Sequence, residues 1–469
     1  MEYINDLENS RNKRHKIAIW YSIGLSAIAG LLYGTDLGVI SGALPLLHKE
    51  FQLTPLLEGW IVGSLMGGAV LGALVAGQIS KIYGRKNAIL ISAIIFLAGV
   101  LSVVLAQSIN ILIIGRVLLG IGVGISSFAA PLYVSEIAPK ETRGKAISVF
   151  DFMISFGILA TFFCNWLFSY LESWRAMFAV LFIPGILLLL GTLIVPKSPR
   201  WLALQGRDQD ALAVLKKIRA TDQEALLELK DIHENILKSG RSKGFNFFLN
   251  NRNFRRSVGL GITLQAMGQF TGISIVLVFA PKLFELAGFV GLQNQLLSTV
   301  LLGVVKVISN IVAFMIIDKC GRKPMLYGGF SAIAVGLGLV AYSLFNTIPI
   351  FALLGLILFM IGFSFSGGPV VWTLSSEIQP LQGRDFGVTC STLTNWLLNM
   401  FLGTYFLVAA AKFGAGETFA FLAVLNFLFL IFFYYFVPET KNIPLEYIEK
   451  NLLEGKKLRD LGKSADGSV

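Results

Sequence analysis

The sequence predicts an all-α membrane protein with twelve membrane-spanning helices arranged in two six-helix halves. Three observations carry this reading. Hydrophobic residues make up 55% of the 469-residue chain and charged ones only 14%, well below the roughly 25% charged of an ordinary soluble domain. Apolar runs of about 20 residues, the length that crosses about 30 Å of hydrocarbon, recur throughout. The loops between them also repeat. ISKIYGRKNAIL (79–90) returns as IIDKCGRKPML (316–326), and SEIAPKETRG (135–144) returns as SEIQPLQGRD (376–385), at nearly the same offset.

In chain order the expected spans are 17–42, 57–80, 87–107, 110–133, 145–169, 175–195, 255–283, 295–317, 324–345, 348–375, 385–411 and 417–437. The first follows RNKRHK (11–16), which is built like the basic start of a signal peptide. Its apolar run continues to about Leu47, too long for a signal core, and no cleavage site is evident, so it reads as a retained span. Between the sixth and seventh spans lies DQDALAVLKKIRATDQEALLELKDIHENILK. Its helical periodicity and paired charges predict short amphipathic helices at the membrane surface. The expected organisation is therefore an N-terminal half (1–196), a cytoplasmic linker (197–256), a C-terminal half (257–438) and a cytoplasmic tail (439–469).

The net charge of +11 sits in short clusters between apolar runs. That is the pattern of loops facing anionic lipid rather than nucleic acid. Lys81, Arg85, Lys86, Lys140, Arg143, Lys145, Lys319, Arg322 and Lys323 all fall in alternate loops, while the opposite loops hold only Lys49, Arg175, Lys282 and Lys412. The positive-inside rule places both termini in the cytoplasm. Cys164, Cys320 and Cys390 lack metal-ligand or disulfide spacing, and His15, His48 and His233 are scattered outside the spans. No zinc-protease, phosphate-loop or nucleophile-elbow pattern is present. No enzyme, no metal and no cofactor are expected.

Ionisable residues inside spans point to function, because each costs about 2.5–3.5 kcal/mol at a helix centre. Asp36, Arg116, Asp151 and Lys306 are such residues. Arg116 lies about 9 Å into a span entering from outside. Asp36 lies late in the outward-running first span, so the two can meet. A carboxylate whose neighbours change with conformation is what proton coupling requires, which makes Asp36 the expected proton carrier and Arg116 its modulator. The alternative is a buried pair that only fixes packing. Asp151 and Lys306 lie about 12 Å and about 18 Å from the cytoplasmic edge, near the midplane, where transporter sites are found.

In the repeated loops, Arg85, Glu136 and Arg143 in one half and Glu377 and Arg384 in the other are read as conformational latches. One copy alone would be ordinary positive-inside charge, but two at matched positions argue for a charge network. In the C-terminal half, GGPVVW (367–372) combines Gly, Pro and Trp372, and NWLLN (395–399) groups Asn395, Trp396 and Asn399. Amides that bond hydroxyls and rings that stack on C–H faces suit a polyhydroxylated ligand. Tryptophan also forms interfacial belts, but Trp396 lies too deep for that.

At these residues the chain resembles the sugar porter family of the major facilitator superfamily, over nearly its whole length. The matching pieces are GTDLGVISGAL (34–44), YGRK (83–86), GRVLLGIGVG (115–124), PLYVSEIAPKETRGK (131–145), PKSPRWL (196–202), QFTGIS (269–274), DKCGRKP (318–324), WTLSSEI (372–378), NWLLN (395–399) and VPETKN (437–442). The resemblance implies the major facilitator fold, alternating access and a central site for a hexose, pentose or polyol. It implies an acid at Asp36 and an arginine at Arg116, as in proton-coupled members. It adds Gln269 and Ser274 to the pocket with Trp372, Asn395, Trp396 and Asn399, and Asp318, Arg322 and Glu439 to the latches.

The chain also departs from the family pattern. Ser274 stands where an asparagine is usual, and Val278–Phe279 where a tyrosine pair is usual. Lys81 and Lys197 replace acids. Asp151 and Lys306 replace a glutamine and an asparagine at substrate-contact positions. These last two could pair, could bind opposite charges on the substrate, or could add a second titratable element. Pairing is preferred, because an unpaired buried charge costs several kcal/mol. The expected activity is proton-coupled import of a monosaccharide or polyol across the cytoplasmic membrane by a monomer in contact with lipid. The alternatives are a porter for an amino sugar, sugar acid or zwitterion, a facilitative uniporter, or a non-transporting sugar sensor. The short tails read against the sensor.

Overall fold

The computed structural model describes residues 2–139, 142–238 and 244–463, without the side chains of residues 2–15, 18, 143, 235–238 and 318. Among the described residues it is entirely helical. Twelve helical segments are long and apolar enough to span a membrane: α1 (Ile19–Phe51), α2 (Pro55–Tyr83), α3 (Arg85–Val104), α4 (Ile109–Ile137), α5 (Gly144–Ser169), α6 (Trp174–Ile194), α7 (Arg252–Leu286), α8 (Leu292–Ile317), α9 (Arg322–Asn346), α10 (Pro349–Glu377), α11 (Leu381–Phe413) and α12 (Ala415–Phe436). Each coincides with an expected span. The largest difference is in α1, which runs through Pro45 to Phe51 rather than ending near residue 42. Leu44, Leu46 and Leu47 around the proline are buried, and their packing outweighs the one backbone bond that proline removes.

Sequence hydropathy did not show the breaks. α6 divides into Trp174–Ala179 and Phe182–Ile194. α7 divides into Arg252–Phe270 and Ile273–Leu286, with Gly272 between them at φ 91°. α10 divides into Pro349–Phe365 and Pro369–Glu377. Broken helices in membrane proteins expose backbone groups, which is tolerated only where protein or a polar cavity receives them.

Contacts group the chain into two compact units. The first comprises 1–39, 67–161 and 175–241, and the second comprises 40–66, 162–174 and 242–469. Within the first, Phe96, Leu119, Tyr133 and Phe178 are fully buried. The linker forms Pro199–Leu204, Asp208–Ile218 and Asp222–Lys238, the short amphipathic helices expected there. They close on Trp201, Leu202, Ala203 and Ala211. Arg219 anchors them, donating to the Ile137 carbonyl at 2.9 Å and pairing with Glu228. Within the second unit, Phe284, Phe330, Phe359 and Phe419 are fully buried. Outward faces carry Leu74, Leu190, Phe421 and Val424, as contact with lipid tails requires.

Candidate functional site

Asp36 and Arg116 meet. Arg116 donates to Asp36 Oδ1 at 3.2 Å, with side chains 1% and 0% exposed. The other oxygen, Asp36 Oδ2, is buried without a hydrogen-bond partner among the described residues. Behind the guanidinium stands the Phe178 ring, 5.9 Å from Cζ. α1 reaches this depth by lying directly on α5. A Cβ built on Gly30 would fall 2.3 Å from the Phe150 carbonyl oxygen, and one on Gly34 would fall 2.1 Å from that of Ile154. Only glycine allows that approach.

In the second unit the breaks position the polar groups. Gln269 ends the first piece of α7 and Ser274 starts the second, and Ser274 Oγ donates to Gln269 Oε1 at 3.2 Å. Asn395 Nδ2 donates to Gln265 Oε1 at 2.8 Å, and Gln265 Nε2 donates onward to Ser375 Oγ at 3.4 Å. Gln269, Asn395, Trp396 and Asn399 are all buried, while Trp372 is 43% exposed. Lys306 is buried on α8, its ammonium 5.3 Å from the centre of the Phe363 ring beside the α10 break. Asp151 is exposed on α5 and belongs to the first unit, whereas Lys306 belongs to the second.

Among the described residues, the expected latch residues form two separate ion pairs. Arg85 donates to Glu136 from Nη2 at 2.9 Å and from Nε at 3.1 Å, and the other Glu136 oxygen accepts from Ser198. Arg322 meets Glu377 at 3.0 Å, and the other Glu377 oxygen accepts from Thr440. Glu439 accepts the backbone N–H groups of Arg322 and Lys323 at 3.0 and 2.9 Å. Arg384 donates to the Gln379 carbonyl at 3.4 Å. The side chains of Arg143 and Asp318 lie outside the described residues.

Gln265, Ser198 and Thr440 were not expected from sequence. Gln265 carries a signal, since it lies one helical turn before Gln269 on the same face. Ser198 and Thr440 share a position in the paired pieces PKSP and PETK.

The model of a family described as "Sugar (and other) transporter" matches residues 24–452. The galactose-proton symporter of Escherichia coli (strain K12) is 44% identical, the match covering 96% of this chain and 98% of the relative. The arabinose-proton symporter of the same organism is also 44% identical, over 93% and 94%. An inward-open structure of the E. coli xylose transporter XylE superposes with a TM-score of 0.79 at 29% identity, covering 91% of this chain and 98% of that one.

Proposed function

The chain belongs to the sugar transporter family of the major facilitator superfamily, and on that premise we propose that it is a proton-coupled symporter importing a monosaccharide by alternating access. The observation that carries the coupling is the buried Asp36–Arg116 pair with its unpartnered Oδ2. A carboxylate sealed in a span is worth its cost when it binds and releases something. Protonation at Oδ2 neutralises Asp36, weakens its hold on Arg116 and lets the surrounding helices rearrange. Loss of the proton restores the ion pair. Sugar and proton are carried together because each biases the same conformational equilibrium.

The site that supports a sugar is Gln269, Ser274, Asn395 and Asn399 as hydrogen-bonding groups, with Trp372 and Trp396 as faces for C–H contact. Galactose and arabinose, the solutes of the 44%-identical relatives, are the first candidates. The burial of Lys306 favours one second reading, a solute with a carboxylate or other anionic group. The Arg85–Glu136 and Arg322–Glu377 pairs act as latches on the cytoplasmic side, and both termini face the cytoplasm. The protein works as a monomer in the cytoplasmic membrane.

Uptake into proteoliposomes tests this reading, with galactose, arabinose, a polyol, an amino sugar and a sugar acid, each with and without an inward proton gradient. Gradient-driven accumulation of a neutral sugar is the expected result. Accumulation of the sugar acid alone would favour the anionic reading, and uptake indifferent to the gradient would contradict symport.

A further inference from the structure

Asp36 has to exchange a proton with water, yet its side chain is fully buried. A proton reaching Oδ2 therefore needs an intermediate group. The α1–α5 seam supplies two. Tyr33 stands between Gly30 and Gly34 on α1, and Asp151 stands between Phe150 and Ile154 on α5, the residues those glycines touch. Tyr33 also precedes Asp36 by three residues, the spacing that makes helix side chains neighbours. Its phenol lies in the electrostatic field of both Asp36 and Asp151. Burial is graded in the same order, with Asp151 exposed, Tyr33 intermediate and Asp36 buried.

We propose that Asp151 and Tyr33 form a proton relay to Asp36, with Asp151 as the group that exchanges with water. This rests on the proton-coupled reading above. In the inward step, protonated Asp151 gives its proton to the Tyr33 phenol oxygen while Tyr33 gives its own to Asp36 Oδ2. Asp151 is left a carboxylate, the phenol is regenerated and Asp36 becomes a neutral acid. Two O–H bonds break and two form, and the net transfer is one proton from Asp151 to Asp36. Arg116 on α4 occupies Oδ1 and so leaves Oδ2 as the acceptor. α6 presents the uncharged Phe178. The relay gives the carboxylate at Asp151 a role that a neutral amide at that position could not fill.

The test compares two rates in proteoliposomes holding the full chain, with galactose as the probe: gradient-driven uptake, and counterflow without a gradient. Tyr33→Phe should lower the ratio of driven uptake to counterflow about tenfold, within the range by which a positioned acid–base group speeds proton transfer. Asp151→Asn should do the same, and Asp151→Glu should restore the ratio. An unchanged ratio in Tyr33→Phe overturns the relay. So does an equal loss of both rates, which marks a substrate contact. A sugar-free arm follows proton uptake by the purified protein after a pH jump with an indicator dye. There Tyr33→Phe should be about tenfold slower, and an unchanged rate again overturns the proposal. Asp36→Asn, run in parallel, separates the two claims. If it still accumulates galactose, the coupling reading fails, whereas full-rate accumulation by Tyr33→Phe alone removes only the relay.

Discussion

At Arg85 a guanidinium meets Glu136, whose other oxygen accepts from Ser198; at Arg322 a guanidinium meets Glu377, whose other oxygen accepts from Thr440. The difference lies one residue away. Beside Thr440 stands Glu439, which caps the start of α9 by accepting the N–H groups of Arg322 and Lys323. Beside Ser198 stands Lys197, and α3 starts after Gly84 with no side-chain cap. Both helices begin at a glycine with positive φ, 88° at Gly84 and 90° at Gly321. A lysine cannot accept, and Lys197 instead places its ammonium 6.0 Å from the Trp201 ring. Lys86 works on the opposite pole, donating to the Leu193 and Val195 carbonyls at 3.0 and 2.7 Å, where α6 ends. Both corners thus set a cation at a helix C-terminus, since Lys323 donates to the Tyr434 carbonyl at 3.4 Å near the end of α12, and the Arg322 corner alone adds an anion at a helix N-terminus, each favoured by the helix dipole. The guanidinium–carboxylate–hydroxyl core is common to both corners.

The strongest way to break this comparison is to copy the Arg85 corner into the other. Glu439→Lys removes the acceptor for four N–H groups, those of Arg322, Lys323, Thr440 and Lys441, and sets an ammonium against the start of α9. A loss on the order of 3 kcal/mol is expected, read as a lower thermal unfolding midpoint in detergent. An unchanged midpoint would show that the cap contributes nothing. Next in size, Ser198→Ala and Thr440→Val should each cost about 1 kcal/mol through the bond to the carboxylate. Ser198 Oγ also accepts the Trp201 N–H at 3.1 Å as a helix N-cap, so equivalent cores leave Ser198→Ala the costlier by about 0.5–1 kcal/mol. A larger loss in Thr440→Val would mean that the surrounding cap matters to the core after all. Smallest, Lys197→Glu offers α3 the cap it lacks and should gain about 0.5–1 kcal/mol. A loss instead would show that the Lys197–Trp201 contact is the better use of that position.

The same two corners show what sequence could and could not reveal. The paired motifs were legible because each loop repeats, and the spans were legible because a bilayer demands long apolar runs. The Asp36–Arg116 contact could be anticipated because position along a span is depth, and the two depths agree. The Glu136–Ser198 bond could not, because 62 residues separate its partners and a serine is unremarkable in a loop. The break at Gly272 was hidden for another reason, whereas GGP (367–369) reads as helix-loosening and marks the break in α10. Spans contain many glycines, and only packing decides which of them interrupt a helix. Gln265 escaped notice although its spacing from Gln269 places both amides on one face.

The central claim is that Asp36 carries the coupled proton, and galactose accumulation in proteoliposomes under an imposed inward proton gradient tests it most directly. Wild-type protein should concentrate the sugar above the outside level. Asp36→Asn should let it reach that level and no further. Accumulation by Asp36→Asn equal to wild type would contradict the account.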